Sequence, residues 1–234
     1  MNRGVYYLYQ TAEFNNNLVM TEATRPATPG RPKDLEKRAA ILDAAKALFP
    51  ARGYDGVSMD AIAQAAGVSK LTVYSHFQDK DTLFVEAVKA RCEDLLPSDL
   101  FVARFEGPIR GQLLRIARAF FTLITSEDAV NIHRMMSRQL PDDSHLPRLF
   151  WEAGPKRTTE ALAAFLLAEH EAGELHIPDC GLAASQFFCL LKGEHHAKLT
   201  CGCQEPLDPG AVDRHLEATV DLFLRAYGPG RRSA

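Results

Sequence analysis

An all-α fold of about nine helices follows from three features of the sequence. Apolar residues recur at helical spacing through most of the chain, no segment alternates as a half-buried strand would, and the periodic runs are separated by Pro, Gly and Asp clusters. With 46% hydrophobic and 24% charged residues the composition is that of an ordinary globular protein, and no apolar run approaches the roughly 18 residues that cross a bilayer. Residues 5–9 are shorter than the apolar core of a secretory signal, about 7–15 residues. A cytoplasmic protein with no membrane partner is expected. The five cysteines, Cys92, Cys180, Cys189, Cys201 and Cys203, are an odd number without an export signal and are expected to be reduced.

Residues 1–24 carry no helical or strand period and are expected to be disordered, with Met20 a second candidate start. Residues 24–32 hold Pro26, Pro29, Gly30 and Pro32, which preclude a helix; they read as a flexible basic arm that delivers Arg31 and Lys33 ahead of the first one. A solvated linker is the plainer reading of the same arm. Residues 1–33 are thus an extension, followed by a compact segment at 34–80. Its first helix places Ala40, Ile41, Ala44, Ala45, Leu48 and Phe49 on one face; Pro50 is expected to end or bend the last turn, and Gly53 to stop it.

Residues 58–80, SMDAIAQAAGVSKLTVYSHFQDK, contain two short helices and a tight turn. Ser58 is placed to cap the first, Gly67 supplies a left-handed backbone at the turn, and Ser69 opens the second. Ala63 allows close crossing, and Val68 and Val73 fill the corner. That is the form of a helix-turn-helix, whose second helix enters the DNA major groove. The net charge of -3 does not oppose this, because between residues 25 and 80 nine basic residues stand against six acidic ones. Lys70 can donate to guanine, Thr72 can bond a base edge or pack on thymine, and Leu71 can make only apolar contact. Asp60 sets an acid close to the same surface, where it caps or repels phosphate. Phe77, Leu83 and Phe84 read as core.

A fourth helix runs from Asp79 to about Leu96, where Pro97 stops it. Helical spacing then recurs at 108–126, 128–139, 146–172, 180–199 and 209–227. Residues 81–228 form a larger helical body and 229–234 a tail.

The helix ending FxxxGYDG followed by SMDAIAQAAGVSKLTVYSHFQDKDTLF resembles the DNA-binding domain of the TetR/AcrR family of bacterial transcriptional regulators, over about residues 34–90. The pattern G-V-S-K-x-T-x-Y-x-H-F-x-x-K-x-x-L-F is very specific to it. The resemblance implies that Ser58 binds a phosphate at the start of the second helix and that Tyr74, His76 and Lys80 bind phosphates around the third. Lys70, Leu71 and Thr72 would face bases, Ser75 either, and Ser69, Arg31 and Lys33 join the DNA-facing set. Pro50 and Asp60 depart from or blur the pattern. In the body, FWEAGPKRTTEALAAFL, GELHIPD, FFCLLKGEHH and VDLFLRAYG are similar to the AefR-like branch.

The last two helices carry apolar stripes that one protomer is not expected to cover, Leu182, Phe187, Leu190 and Leu191 on one and Leu216, Val220, Phe223, Leu224 and Tyr227 on the other, and these read as a four-helix homodimer interface. The resemblance implies a small, mostly apolar effector enclosed by the middle helices, among Phe105, Phe120, Phe121, His133, Met136, Trp151 and Phe165, with Arg134, Arg138 and Gln139 as further polar candidates. The expected function is that of a sequence-specific regulator, a repressor released from a double-stranded DNA operator by that effector. Other readings stand beside it, among them a structural chromosome-organising member of the fold, which would lack a ligand-competent cavity. His195, His196, Cys201 and Cys203 can make a metal- or redox-sensing loop. Glu169, His170, Glu171 and Glu174 can be an enzyme's acidic cluster, although no nucleophile and base set or phosphate-binding glycine loop accompanies them and a solvated helix face fits better. No enzyme activity, cofactor or metal is expected.

Overall fold

The computed structural model describes residues 32–102, 107–137, 145–203 and 208–229, which belong to one packed unit. Its first helix, α1 (Pro32–Arg52), opens with proline, which has no N–H to leave unpaired in a first turn. Lys33, assigned to the arm, therefore falls inside the helix. Pro50 does not end α1: at that position it forfeits one backbone bond, and the helix runs on to Arg52, where Gly53 turns left-handed at φ 74 with its N–H 3.0 Å from the Phe49 carbonyl.

The remaining helices are α2 (Met59–Ala65), α3 (Lys70–His76), α4 (Lys80–Leu95), α5 (Ile109–Thr125), α6 (Glu127–Ser137), α7 (Leu146–Ala153), α8 (Pro155–Glu171), α9 (Cys180–Cys201) and α10 (Pro209–Tyr227), with a 3-10 turn at Ser98–Phe101. The all-α expectation holds, with no strand among the described residues. Ten α-helices are described because the segment expected at 146–172 is divided at Gly154. A Cβ on Gly154 would lie 3.2 Å from Val88 Cγ1, so the elbow between α7 and α8 is pressed against α4.

Two apolar clusters hold the unit together. The first joins Ile41, Ala45 and Phe49 of α1 to Met59, Ile62 and Ala63 of α2, Val73 of α3 and Leu83, Phe84 and Ala87 of α4, and is closed by Ile132 and Leu146. Phe84 meets Phe49 and Tyr54 edge to face, with centroids 5.2 and 5.5 Å apart. The second cluster lies among α5, α8, α9 and α10, and Cys92 and Leu95 of α4 rest on it. Helix α4 thus serves both cores.

Three expectations need correction. Phe187, Leu191, Leu216, Val220 and Phe223 are at most 3% exposed, because α9 and α10 turn these stripes onto α5 and α8 within the same chain. They are core rather than an uncovered dimer face; of the expected set Leu182 is 55% and Leu190 42% exposed, and Leu224 and Tyr227 are half-buried. Leu222 of α10 is exposed as well. His195 and His196, assigned to a loop as part of the His/Cys cluster, lie instead on the helical piece of α9 that resumes after the non-helical backbone at Gly193 and runs to Cys201, as the spacing over 180–199 suggested. Glu169 is buried rather than solvated, and His170 Nδ1 accepts from the Ile177 N–H at 3.3 Å, which ties down the turn after α8.

Candidate functional site

Local capping sets the geometry of the helix-turn-helix. Ser58 Oγ accepts from the Ala61 N–H at 3.1 Å and starts α2. Ser69 Oγ accepts from the Thr72 N–H at 3.1 Å and starts α3, and Gly67 turns the chain between them at φ 65. Val73 anchors α3 in the core, which leaves Lys70, Leu71, Tyr74 and Ser75 facing outward and Thr72 at the margin. At 80%, Leu71 is the most exposed large hydrophobic side chain among the described residues. Such a side chain suits a thymine methyl.

Other expected contacts are occupied in the free protein. Lys70 Nζ is paired with Asp60 Oδ2 at 2.8 Å, so the acid on this surface holds the base-facing ammonium. His76 is turned toward the start of α1, its Nε2 3.0 Å from Asp34 Oδ1 and off the hydrogen-bonding direction. Lys80 points inward: its Nζ donates to the Tyr54 and Val57 carbonyls at 3.1 and 3.2 Å and sits 4.0 Å from the Tyr54 ring centre. It braces the loop between α1 and α2. Arg31 and the side chain of Lys33 lie outside the described residues.

The Tyr54 hydroxyl also donates to Asp81 Oδ1, and His145 Nε2 lies 2.6 Å from Asp81 Oδ2. The Tyr54 hydrogen bond, followed by His145, holds the Asp81 carboxyl below its ordinary value. This network joins the reader loop, the first turn of α4 and the start of α7.

Behind the reader lies a cavity of about 260 Å³. Phe49 of α1, Phe84, Val88 and Arg91 of α4, Phe120 of α5, Ile132 and His133 of α6, Phe150 and Trp151 of α7, and Phe188, Lys192 and His196 of α9 are among its walls. Of the expected effector residues, Phe120, His133 and Trp151 line it. Phe121 and Phe165 are packed into the second cluster, Met136 rests on the first, and Phe105 lies outside the described residues. Arg134 donates to the Leu199 and Thr200 carbonyls at the end of α9, and Arg138 and Gln139 lie outside the described residues. No side chain of α1, α4 or α9 was in the expected set. The spacing Ser185, Phe188, Cys189, Lys192, His196 was the available signal, a single helical face on which apolar and cationic side chains mix.

Among the described residues no three His, Cys, Asp or Glu side chains come together to hold a metal. His196 faces His133 in the cavity, with ring centroids 5.2 Å apart, while Cys201 and Cys203 are exposed at the end of α9. The proposed His/Cys centre does not form. Nor is any described helix long and apolar enough to cross a membrane.

Residues 41–87 match the family model for bacterial regulatory proteins of the tetR family, and residues 111–229 match the AefR-like transcriptional repressor C-terminal domain. The chain belongs to the TetR family. A TetR-family regulator from Mesorhizobium loti superposes with a TM-score of 0.71 at 29% identity, over 85% of this chain and all of the other. The flavonoid-responsive regulator FrrA superposes with a TM-score of 0.65 at 34% identity, over 83% of this chain and 98% of FrrA. The transcriptional activator FasR of Mycolicibacterium smegmatis is 35% identical over 105 residues, 43% of this chain and 48% of FasR. The biofilm operon negative regulator IcaR of Staphylococcus aureus is 39% identical over 56 residues, 24% of this chain and 30% of IcaR. The matches therefore span about half or less of these two curated relatives. One is named an activator and the other a negative regulator, so kinship alone gives no sign of regulation.

Proposed function

We propose that this TetR-family protein binds a two-fold operator as a homodimer and represses until an effector enters the cavity. In this reading Lys70, Leu71 and Thr72 meet base edges, while Ser58, Ser69, Tyr74, Ser75 and His76 meet phosphates. Lys80 serves as an internal brace. The observation that carries the reading is the double duty of α4: Leu83, Phe84 and Ala87 close the reader's core, while Phe84, Val88, Arg91 and Cys92 wall the cavity. A ligand that displaces α4 also displaces α3, and by linkage it weakens DNA binding by the factor by which DNA weakens its own. The small-molecule response named for FrrA is in keeping with this. Dimerisation through the exposed face at Leu182, Leu190 and Leu222 would set two copies of α3 for half-sites about 34 Å apart.

The test is operator release. Genomic fragments selected by the purified protein are bound again in the presence of fractionated cell metabolites. The reading expects one fraction to free the DNA while the protein stays folded and dimeric. Operator binding that no fraction alters, at concentrations that saturate the cavity, would contradict it.

A further inference from the structure

One wall of the cavity is aromatic and another is cationic. The charged groups on it are Lys46 of α1, Arg91 of α4, Asp128 of α6 and Lys192 of α9, joined by the imidazoles of His133 and His196 and the thiols of Cys92 and Cys189. Burial pushes the Cys92 thiol up to about 11, so it carries no charge near neutrality. Asp128 is the sole carboxylate among the described lining residues, and Arg91 holds it at 2.8 Å. Lys46 is paired with Asp94 and Asp43 at 2.7 and 2.9 Å. Lys192 has no carboxylate partner among the described residues, and the buried Arg91 Nε has no hydrogen-bond acceptor.

Burial, with Lys192 adding to it, lowers the His133 pKa; burial, then His133 and Lys192, lowers that of His196 to about 4. Both imidazoles are therefore neutral beside an ammonium. A buried donor without an acceptor, an unmatched cation and two imidazoles held uncharged make a site deficient in negative charge.

We propose that the cavity takes an apolar monocarboxylate, its carboxylate set among Lys192, His133 and His196 and its hydrocarbon or aryl body against Phe84, Phe120 and Phe188. This rests on the reading of the cavity as the effector site. Size narrows the class: a cavity of about 150 Å³ holds benzene, so about 260 Å³ takes a ligand of roughly ten non-hydrogen atoms. A carboxylate beside His196 favours the imidazolium, so binding takes up protons and tightens as pH falls from 7.5 to 6.

Calorimetry on the DNA-free full chain tests this with octanoate and 3-phenylpropanoate against octanamide and 3-phenylpropanamide. The expected result is at least tenfold tighter binding of acid than of amide, and tighter acid binding at pH 6 than at pH 7.5. Lys192→Met should reduce the preference to within about twofold without weakening the amide, and Lys192→Arg should keep it. Equal binding of acid and amide, a preference that survives Lys192→Met, or no binding of either acid at millimolar concentration would each overturn the proposal. DNA is absent from the assay, so an acid preference with no effect on the operator would sink the release mechanism alone, and release by a neutral compound with acids unbound would sink this inference alone.

Discussion

Lys80 shows how a residue with an apt sequence position can be engaged elsewhere. Its motif position and its place at the start of α4 made it a phosphate ligand, yet two backbone carbonyls and the Tyr54 ring hold its ammonium. Lys80→Met should cost about 2 kcal/mol in chemical denaturation and leave the salt slope of DNA binding unchanged, whereas loss of a phosphate contact lowers that slope by about one. His196 gives a second residue-scale prediction. Its folded pKa of about 4 lies below the ordinary 6.5, so the unfolded chain takes its proton first as pH falls. Stability should decline from about pH 6.5 toward pH 4, and His196→Gln should flatten that decline relative to wild type in denaturant titrations at several pH values. Capping was legible at this scale, since Ser58, Ser69 and Gly67 act through neighbours only a few residues away. The ion pair of Lys70 with Asp60 and the burial of Glu169 depend on partners brought by folding, which sequence spacing does not carry.

Among the elements, α9 carries a break that its spacing did not show. The helix expected over 180–199 is interrupted at Gly193, whose φ of 47 and ψ of -154 are non-helical and open almost only to glycine. Beside the kink, His215 Nε2 lies 3.0 Å from the Leu191 carbonyl. A Cβ on Gly193 would meet His215 Cε1 at 2.9 Å. Gly193→Ala should therefore lower stability by about 1–3 kcal/mol, read as a fall in midpoint at unchanged m-value. The kink stands between Lys192 and His196, so the same substitution should also weaken ligand binding in the cavity. The stripes on α9 and α10 were correctly periodic; periodicity reports that a face is covered without saying whether the cover is the same chain or another.

At the scale of the molecule, dimerisation and operator reading are one prediction. Leu190 and Leu222 are exposed in the single chain, so Leu190→Glu with Leu222→Glu should change its folding stability by no more than about 1 kcal/mol while abolishing the dimer in sedimentation and the operator complex with it. The most direct measurement compares binding of a genomically selected fragment with binding of its scrambled sequence across a salt series, for wild type and for Lys70→Ala/Leu71→Ala/Thr72→Ala. Wild type should prefer the selected fragment by about 10³ or more, and the triple variant should lose that preference while keeping weak, salt-dependent binding to both. Equal wild-type affinity for the two fragments, or full discrimination by the triple variant, would contradict the assignment of α3 as the reading helix.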